Sequence, residues 1–318
     1  MGNVLDQDYS IHNTKHQEEL QKHQLIKSIA DSYQYVNILY QVTGSEYEAI
    51  LLYQIYELLI TQRDVKFRFF IIDNCFISPE FKSNLIILYK RFQFNFQYLN
   101  MAWPEQILPR PQQPIKYVLA YRIMFLDQMI PSQINRILFK DADQCMNSGT
   151  NILELWNFDL QNKPIGMVLA GNEEKQKKAI QNKQQFHEQY PEIAISQYFL
   201  TATYLIDMRQ FNDQMKNQRF RDFWKDEIEQ KRFKGEITDM TLINYAINTE
   251  VVELPWQWLW SKSQHGPELL QEAKIMDMHS SKREKENGIT KIQLAQQYCP
   301  QFNRHLDKLK RIINANQE

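Results

Sequence analysis

Cysteine, net charge and long apolar stretches are all scarce in this chain of 318 residues. The three cysteines, Cys75, Cys145 and Cys299, lie far apart and form no C-x-x-C pair, which argues against a disulfide framework or a zinc cluster. The net charge of -1 gives no field that would steer the whole chain to nucleic acid or to an anionic membrane. No stretch approaches the roughly 18 apolar residues of a membrane span. We therefore expect neither a nucleic-acid partner nor a membrane span.

The first 34 residues lack the apolar segment of a secretory signal. Gly2 follows Met1 as in myristoylated proteins, but Asp6 stands where that signal carries Ser or Thr. Four apolar residues of this polar, Gln-rich leader recur at helical spacing: Leu20, Leu25, Ile26 and Ile29. We expect residues 1–34 to form a helical extension of a soluble chain that is either cytosolic or a piece of a longer protein.

The remaining sequence alternates strand patterns with helix patterns. Its hydrophobic share of 43% and charged share of 24% are those of an ordinary globular protein. Strands are predicted at 35–42, 65–72, 94–99, 137–139, 165–169 and 201–208, and a last β-like run at 274–279. Helices are predicted at 46–60, from Ser78-Pro79 onward, at 115–129, at 237–247, and at 289–314 with a break at Pro300. This alternation predicts one α/β domain over 35–314, with a mostly parallel sheet and helices on both faces.

Two carboxylates follow the most apolar of these strands. Asp141 and Asp143 are separated only by Ala142, and in an extended backbone residues two apart point to the same side. Such close like charges raise each other's pKa unless a cation lies between them, and carboxylate oxygens suit Mg, Mn or Ca. The D-A-D motif therefore predicts a metal-dependent nucleotide or phosphate site, although an ordinary turn after a strand also explains it.

Three further stretches carry candidate functional residues, each with a structural alternative. The small turn Thr43-Gly44-Ser45 lets a ligand approach the backbone, or Ser45 caps the next helix. Arg122 neutralises a phosphate or lies on a solvated helix face. The W-Q-W-L-W run at 256–260 forms a carbohydrate-binding surface or packs into the core. The charged stretch 171–195 is predicted to be a solvated helix or a mobile insert.

Ordered landmarks along the chain resemble one enzyme family. They include V-N-I-L-Y-Q-V-T-G-S-E-Y-E, Y-R-I-M-F-L-D-Q-M-I-P, I-L-F-K-D-A-D-Q, T-A-T-Y-L-I-D-M, L-P-W-Q-W-L-W and I-M-D-M. From about Val36 to about Lys310 the chain resembles the retaining family 24 glycosyltransferases, the C-terminal catalytic domains of UDP-glucose:glycoprotein glucosyltransferases. It is more distantly similar to glycogenin-like glycosyltransferases. The resemblance implies the GT-A nucleotide-diphospho-sugar transferase fold.

The resemblance also implies a ligand set. A divalent cation, Ca or Mn, is expected to bridge Asp141, Asp143 and Asp277 to the diphosphate of UDP-glucose, with His279 as a fallback for the third ligand. The D-A-D, including Ala142, then forms part of the nucleotide site.

The same resemblance assigns the uridine pocket and a basic residue. Thr43, Gly44 and Ser45 are expected to line the uridine pocket, with Tyr47 nearby. Arg122 replaces the family's basic residue and is expected to stabilise the departing UDP. The Trp-rich run is expected to shape the acceptor side.

Two regions depart from the family pattern. Where the family carries D-Q-D-L-P-N, residues 239–244 read D-M-T-L-I-N. We align Asp239 with the first Asp and treat it as the candidate catalytic carboxylate, although a gap of one residue would align it with the second. The family's F-W-K-S-G-Y-W region is replaced by the polar insert. UDP and metal binding therefore look better preserved than sugar transfer.

The expected function is transfer of glucose from UDP-glucose to the N-glycan of an incompletely folded glycoprotein, in the lumen of the endoplasmic reticulum by resemblance. The alternative is a degenerate transferase fold kept as a binding or structural subunit. The altered D-Q-D favours this alternative, and the intact D-A-D with Asp277 opposes it.

Overall fold

The computed structural model describes residues 35–42, 44–73, 77–106, 108, 114–181, 197–230 and 238–316. The predicted N-terminal extension, Thr43 and residues 182–196 of the polar insert lie outside these ranges. The predictions for those residues, including the domain boundary at residue 34, stay predictions.

Nine strands are described, and seven of them form one sheet. They are β1 (Tyr35–Gln41), β2 (Lys66–Asp73), β3 (Asn95–Asn100), β4 (Arg136–Lys140), β5 (Gln144–Met146), β6 (Ile165–Leu169), β7 (Phe199–Asp207), β8 (Val251–Leu254) and β9 (Ile275–Asp277). The sheet order is β3-β2-β1-β4-β7-β6-β8. Only β7 runs antiparallel to its neighbours β4 and β6; the other pairings in this sheet are parallel. The predicted mostly parallel sheet is confirmed.

Thirteen α-helices and three 3-10 helices are described around this sheet. The α-helices are α1 (Ser45–Thr61), α2 (Pro79–Phe92), α3 (Pro114–Met124), α4 (Leu126–Met129), α5 (Ile152–Trp156), α6 (Glu173–Gln181), α7 (Met208–Asp213), α8 (Lys216–Gln230), α9 (Asp239–Ala246), α10 (Lys262–His265), α11 (Lys282–Glu286), α12 (Lys291–Tyr298) and α13 (Phe302–Asn314). The 3-10 helices are Asn248–Glu250, Trp256–Leu259 and Pro267–Glu272.

Local signals in the sequence mark some of the helix ends. The Ser78 hydroxyl accepts a hydrogen bond from Phe81 N at 3.1 Å, so the predicted N-cap of α2 is confirmed. The helix predicted at 115–129 is instead two helices, α3 and α4, that meet at Phe125. The break predicted at Pro300 separates α12 from α13.

The central strand β4 is buried on both faces, as its apolar run predicts. Leu138 packs into the hydrophobic cluster that includes residues of α1, α2, α12 and α13. Ile137 and Phe139 point to the opposite cluster, which includes residues of α3, α7, α8 and α9. Alternating side chains therefore fix β4 between two helical layers, and its carboxyl end is where D-A-D begins.

The remaining two strands, β5 and β9, form a small antiparallel sheet beside the main one. Gln144 pairs with Asp277, so the strand that follows D-A-D lies next to the strand that carries Asp277. The backbone N–H of Met278 also donates to the Asp143 carbonyl at 3.0 Å. The β-like run predicted at 274–279 is confirmed as β9, and this pairing brings Asp277 to the D-A-D.

The three tryptophans of the W-Q-W-L-W run have different environments. Trp258 is 3% exposed and Trp260 is fully buried, so the packing alternative holds for both. Trp256 is half-buried. In the described ranges no helix is both long and apolar enough to cross a bilayer.

Candidate active site

The D-A-D backbone is held on both sides immediately after β4. The Asp141 N–H donates to the Ala202 carbonyl of β7 at 2.9 Å. The buried Gln54 side chain of α1 donates to the Asp141 carbonyl at 3.0 Å. Ala142 is 3% exposed, so a larger residue there would meet packed atoms. The peptide groups of the D-A-D are therefore fixed in place.

A cavity of about 520 Å³ lies in front of these carboxylates. Asp141, Asp143, Asp277 and His279 all line it, so the structure brings the three predicted metal ligands and their fallback to one place. Its other walls include Lys175 of α6, Tyr198, Thr201 and Ala202 at β7, Met240 of α9, and Ser261 and Gln264. Its volume is within the usual range for small-molecule sites.

Three carboxyl groups lie close together on the acidic side of this cavity. Burial raises the pKa of Asp277 well above its ordinary value, and the neighbouring Asp143 and Asp141 raise it further. Burial likewise raises the pKa of Asp141, since the opposing effect of Arg122 is smaller. Carboxylates in this condition are stabilised by any cation that enters among them.

Arg122 holds two carboxylates behind the cavity. Its Nη1 donates to Asp141 Oδ1 at 2.7 Å, and its Nε donates to Asp239 Oδ2 at 3.0 Å. The guanidinium lies 4.2 Å from the Phe139 ring centroid, and Arg122 is 3% exposed. Burial works against its charge, but Asp239 and Asp141 outweigh burial and raise the pKa of Arg122. The solvated-face alternative for Arg122 is therefore wrong.

A second buried cation, Lys291, lies at the other end of the acidic side. Its Nζ donates to Asp143 Oδ2 at 2.7 Å and to the Met278 carbonyl at 2.6 Å. Lys291 is 6% exposed, and burial alone would lower its pKa; Asp143 outweighs burial and raises it. Lys291 was not among the residues predicted from the sequence. The T-x-x-Q box at Thr290 predicts a helix start there, but gives no sign that the lysine points inward.

The described residues contain no group of three His, Cys, Asp or Glu side chains arranged to hold a metal ion. Asp141 is turned to Arg122, and Asp143 is turned to Lys291. The donor set nevertheless fits a hard divalent cation, because three carboxylates line one cavity and two of them have raised pKa values. The metal role of Asp141, Asp143 and Asp277 stays a prediction.

Asp239 lies at the start of α9, next to Arg122, and is 3% exposed. Asn244 fixes this helix on β7, since its side chain accepts from Phe199 N at 2.7 Å and donates to Phe199 O at 2.9 Å. Asp239 does not line the cavity in the described structure, whereas the next residue, Met240, does. The catalytic roles of Asp239 and Arg122 stay predictions.

The predicted uridine residues cluster at the N-terminus of α1. Gly44 occupies the N-cap position with φ +98° and ψ 157°, a conformation that L side chains rarely adopt. Ser45 is therefore the first helical residue, and the alternative in which Ser45 caps the helix is wrong. Tyr47 lies near Lys291, whose Nζ is 5.7 Å from the tyrosine ring centroid. Tyr47 thus connects the Gly44 turn to the acidic cavity.

The comparisons with known proteins agree with this geometry. The family model described as Glucosyltransferase 24 matches residues 36–312. A UDP-glucose:glycoprotein glucosyltransferase of Drosophila melanogaster is 24% identical over 282 residues, which are 88% of this chain and 17% of the relative. The UDP-glucose:glycoprotein glucosyltransferase 1 of Mus musculus is 24% identical over 280 residues, again 17% of the relative. The chain spans about a sixth of the length of these curated relatives.

Solved structures show the same architecture. The galactosyltransferase LgtC, crystallised with donor and acceptor sugar analogues, superposes with a TM-score of 0.57 at 15% identity and covers 76% of this chain and 86% of its own. Mouse xyloside xylosyltransferase 1 gives 0.50 at 17% identity, over 76% of this chain and 96% of its own. The predicted GT-A fold is confirmed. Because the family model spans most of the sequence, the chain belongs to the Glucosyltransferase 24 family.

Proposed function

We propose that this chain is a metal-dependent, retaining hexosyltransferase that moves glucose from UDP-glucose to the high-mannose N-glycan of a glycoprotein. The observation that carries the proposal is the convergence of Asp141, Asp143 and Asp277 on one cavity. Family membership supports glucosyl transfer, and the names of the curated relatives support UDP-glucose and a glycoprotein as substrates. Such an acceptor implies the lumen of the endoplasmic reticulum as the compartment.

The acidic side of the cavity would hold a divalent cation near the diphosphate of the donor. Ca or Mn would be held by Asp141, Asp143 and Asp277, with His279 beside them, and when bound it supplies the positive charge that neutralises the leaving diphosphate. Lys291 adds a second positive charge at the same place, because its ammonium is fixed by Met278 O and Asp143. Fixed charges of this kind stabilise a developing oxyanion without reorganisation.

Arg122 acts as a positioning residue in this arrangement. It fixes one Asp141 oxygen and balances the buried Asp239 carboxylate, so the D-A-D and the start of α9 keep a constant separation. The uridine is accommodated by the turn at Gly44 and Ser45, next to Tyr47. The acceptor hydroxyl attacks the sugar on the face that UDP leaves, so the anomeric configuration is retained.

One observation favours the binding-subunit alternative. When Asp239 is aligned with the first Asp of the family's D-Q-D, Met240, which lines the cavity, takes the place of the Gln, and a thioether offers a sugar hydroxyl almost no hydrogen bond. The Asp239 carboxylate beside it is engaged by Arg122. The alternative therefore predicts UDP binding without transfer.

The test is a transfer assay on the full chain. A high-mannose glycoprotein is incubated with UDP-glucose and Mn or Ca, and both UDP release and the mass of the released glycan are measured. We expect a gain of one hexose in the wild type and its loss in Asp143→Asn. The matched control is Asp307→Asn, an exposed carboxylate of α13. Metal-dependent UDP binding with no glycan product in any condition would instead support the binding subunit.

A further inference from the structure

A second cavity adjoins the first at the Trp-rich segment. It has a volume of about 350 Å³, and its walls include Trp256, His265, Asn172, Glu268 and Leu269. It shares Lys175 and Gln264 with the cavity of the D-A-D, so the two spaces are neighbours along one surface. A volume of this size is at the lower end of the range for small-molecule sites.

An aromatic pair forms one wall of this second cavity. The rings of Trp256 and His265 stack with centroids 5.5 Å apart and an interplanar angle of 28°. Trp258 and Trp260 are buried in the core, whereas Trp256 keeps part of its ring accessible. A flat indole surface beside a cavity is suited to the apolar C–H face of a pyranose ring, because it offers a large rigid contact area.

His265 contributes a neutral imidazole to the same wall. Burial and the nearby Lys175 lower the pKa of His265 to about 4, so the ring is uncharged at neutral pH. Its Nδ1 accepts a hydrogen bond from Ser261 N at 3.2 Å, which puts the proton on Nε2. That Nε2 has no hydrogen-bond partner within the described residues.

Polar groups suited to hydroxyls surround the aromatic pair. The Asn172 carboxamide oxygen accepts from Lys175 N at 3.1 Å, which leaves the amide nitrogen available to a ligand. The Glu268 carboxylate is exposed, and the Gln264 side chain is half-buried. An amide donor, a carboxylate acceptor and an aromatic face together match the alternating hydroxyl and C–H surfaces of a sugar.

The wall between the two cavities is tightly built. Lys175 Nζ donates to the carbonyls of Ser263 at 2.7 Å and Gln264 at 2.6 Å, so α6 is tied to the loop after the Trp-rich segment. A Cβ at Gly171 would lie 2.9 Å from Gln264 O, so the absence of a side chain allows this close approach. These contacts therefore fix the position of the two cavities relative to each other.

We propose that the Trp256 cavity is a subsite for a hexose unit of the acceptor oligosaccharide, separate from the unit that receives glucose. This inference rests on the proposed function, because the neighbouring cavity is taken as the donor site. The acceptor chain lies across the Lys175 wall, with its reacting hydroxyl at the D-A-D side and a more distant hexose against Trp256. This cavity then sets the preference for an oligosaccharide over a monosaccharide.

The test measures glycan binding and donor binding separately, on the full chain. The probe is a free high-mannose oligosaccharide, followed by calorimetry and by saturation-transfer NMR. We expect Trp256→Ala to weaken its binding by at least about tenfold, which is about 1.4 kcal/mol. Trp256→Phe, which keeps an aromatic face, is expected to stay within about threefold of the wild type. UDP-glucose affinity is measured on the same samples and is expected not to change.

A second variant avoids any effect on packing. Glu268→Gln removes an exposed charge and is expected to weaken oligosaccharide binding several-fold without changing UDP-glucose affinity. Unchanged oligosaccharide binding in both Trp256→Ala and Glu268→Gln overturns the inference, as does a wild type that binds no oligosaccharide. Trp256-dependent glycan binding in a protein that fails to bind UDP-glucose supports the subsite and refutes the proposed transferase.

Discussion

Replacement of Arg122 by Met removes the cation that two carboxylates share. The change leaves both Asp239 and Asp141 without their cationic partner. Asp239 is 3% exposed, whereas the Asp141 side chain is partly exposed. Loss of one partner of a buried pair costs about 3–5 kcal/mol, whereas a partly exposed pair is worth about 1 kcal/mol or less. We therefore expect the free energy of unfolding to fall by about 4 kcal/mol, and nearly all of it to come from Asp239.

A double-mutant cycle isolates that contribution. Asp239→Leu in the Arg122→Met background removes the stranded charge, so the double variant is expected to recover most of the loss, leaving about 1 kcal/mol. Urea denaturation of the wild type, both single variants and the double variant measures the coupling.

Lys177→Met is the matched control for this cycle. Lys177 and Glu173 form an ion pair of 3.0 Å on α6, with side chains 69% and 85% exposed. Its loss is expected to change stability by no more than about 0.5 kcal/mol. The reasoning is refuted if Arg122→Met costs as little as this control, or if the effects of Arg122→Met and Asp239→Leu simply add.

Three further predictions concern residues in or beside the two cavities. With Asp239 aligned to the first Asp of D-Q-D, Met240→Gln restores the family's amide, so glucosyl transfer is expected to rise at least about tenfold with UDP affinity unchanged, as measured by initial rates and calorimetry. Lys291→Met removes a buried positive charge next to Asp143, so UDP affinity is expected to fall by about tenfold to a hundredfold, whereas the exposed Lys310→Met changes nothing. The pKa of His265 is lowered to about 4, so the unfolded chain binds the histidine proton at a higher pH than the folded chain does, and the free energy of unfolding falls as pH drops below about 6.5. For a half-exposed ring this loss of stability is about 1 kcal/mol at pH 5. The urea midpoint of His265→Gln is expected to lack this part of the pH dependence.

Local patterns were sufficient to predict β4 and its position. A short apolar run followed by D-A-D indicates a strand that ends at a ligand site, and Leu138 and Phe139 do pack on opposite faces. The caps at Ser78 and the break at Pro300 are equally local signals. The resemblance to the family additionally predicted the GT-A fold, which hydrophobic periodicity alone does not identify.

Strand direction was not predictable from the same patterns. The run that forms β7, F-L-T-A-T-Y-L-I-D, mixes apolar residues with threonines and is mostly buried, and such a run fits a sheet in either direction. Its antiparallel pairing with β4 therefore follows only from the tertiary connection. The strand β5 has only three residues, too few for a periodic signal. The split between α3 and α4 at Phe125 has no Pro or Gly to mark it.

The partners of the charged side chains were beyond sequence reasoning for a related reason. Arg122 meets Asp239 across 117 residues of chain, and Lys291 meets Asp143 across 148. A helical pattern indicates on which face of a helix a residue lies, but it does not show which distant carboxylate the side chain of that residue contacts. The same limit applies to Trp256, since three neighbouring tryptophans look alike in the sequence, and the sequence does not show that Trp256 is the one among the described residues that line the second cavity.

The most direct test of the central claim is a calorimetric titration of UDP and UDP-glucose, with and without Mn or Ca, on the wild type and on Asp143→Asn. The account predicts binding that requires the metal and is weakened at least about a hundredfold by the substitution, because the cation loses one of its carboxylates. The Asp307→Asn control is expected to bind as the wild type does. Metal-independent binding of equal strength in the wild type and Asp143→Asn, or no binding in any condition, would contradict it.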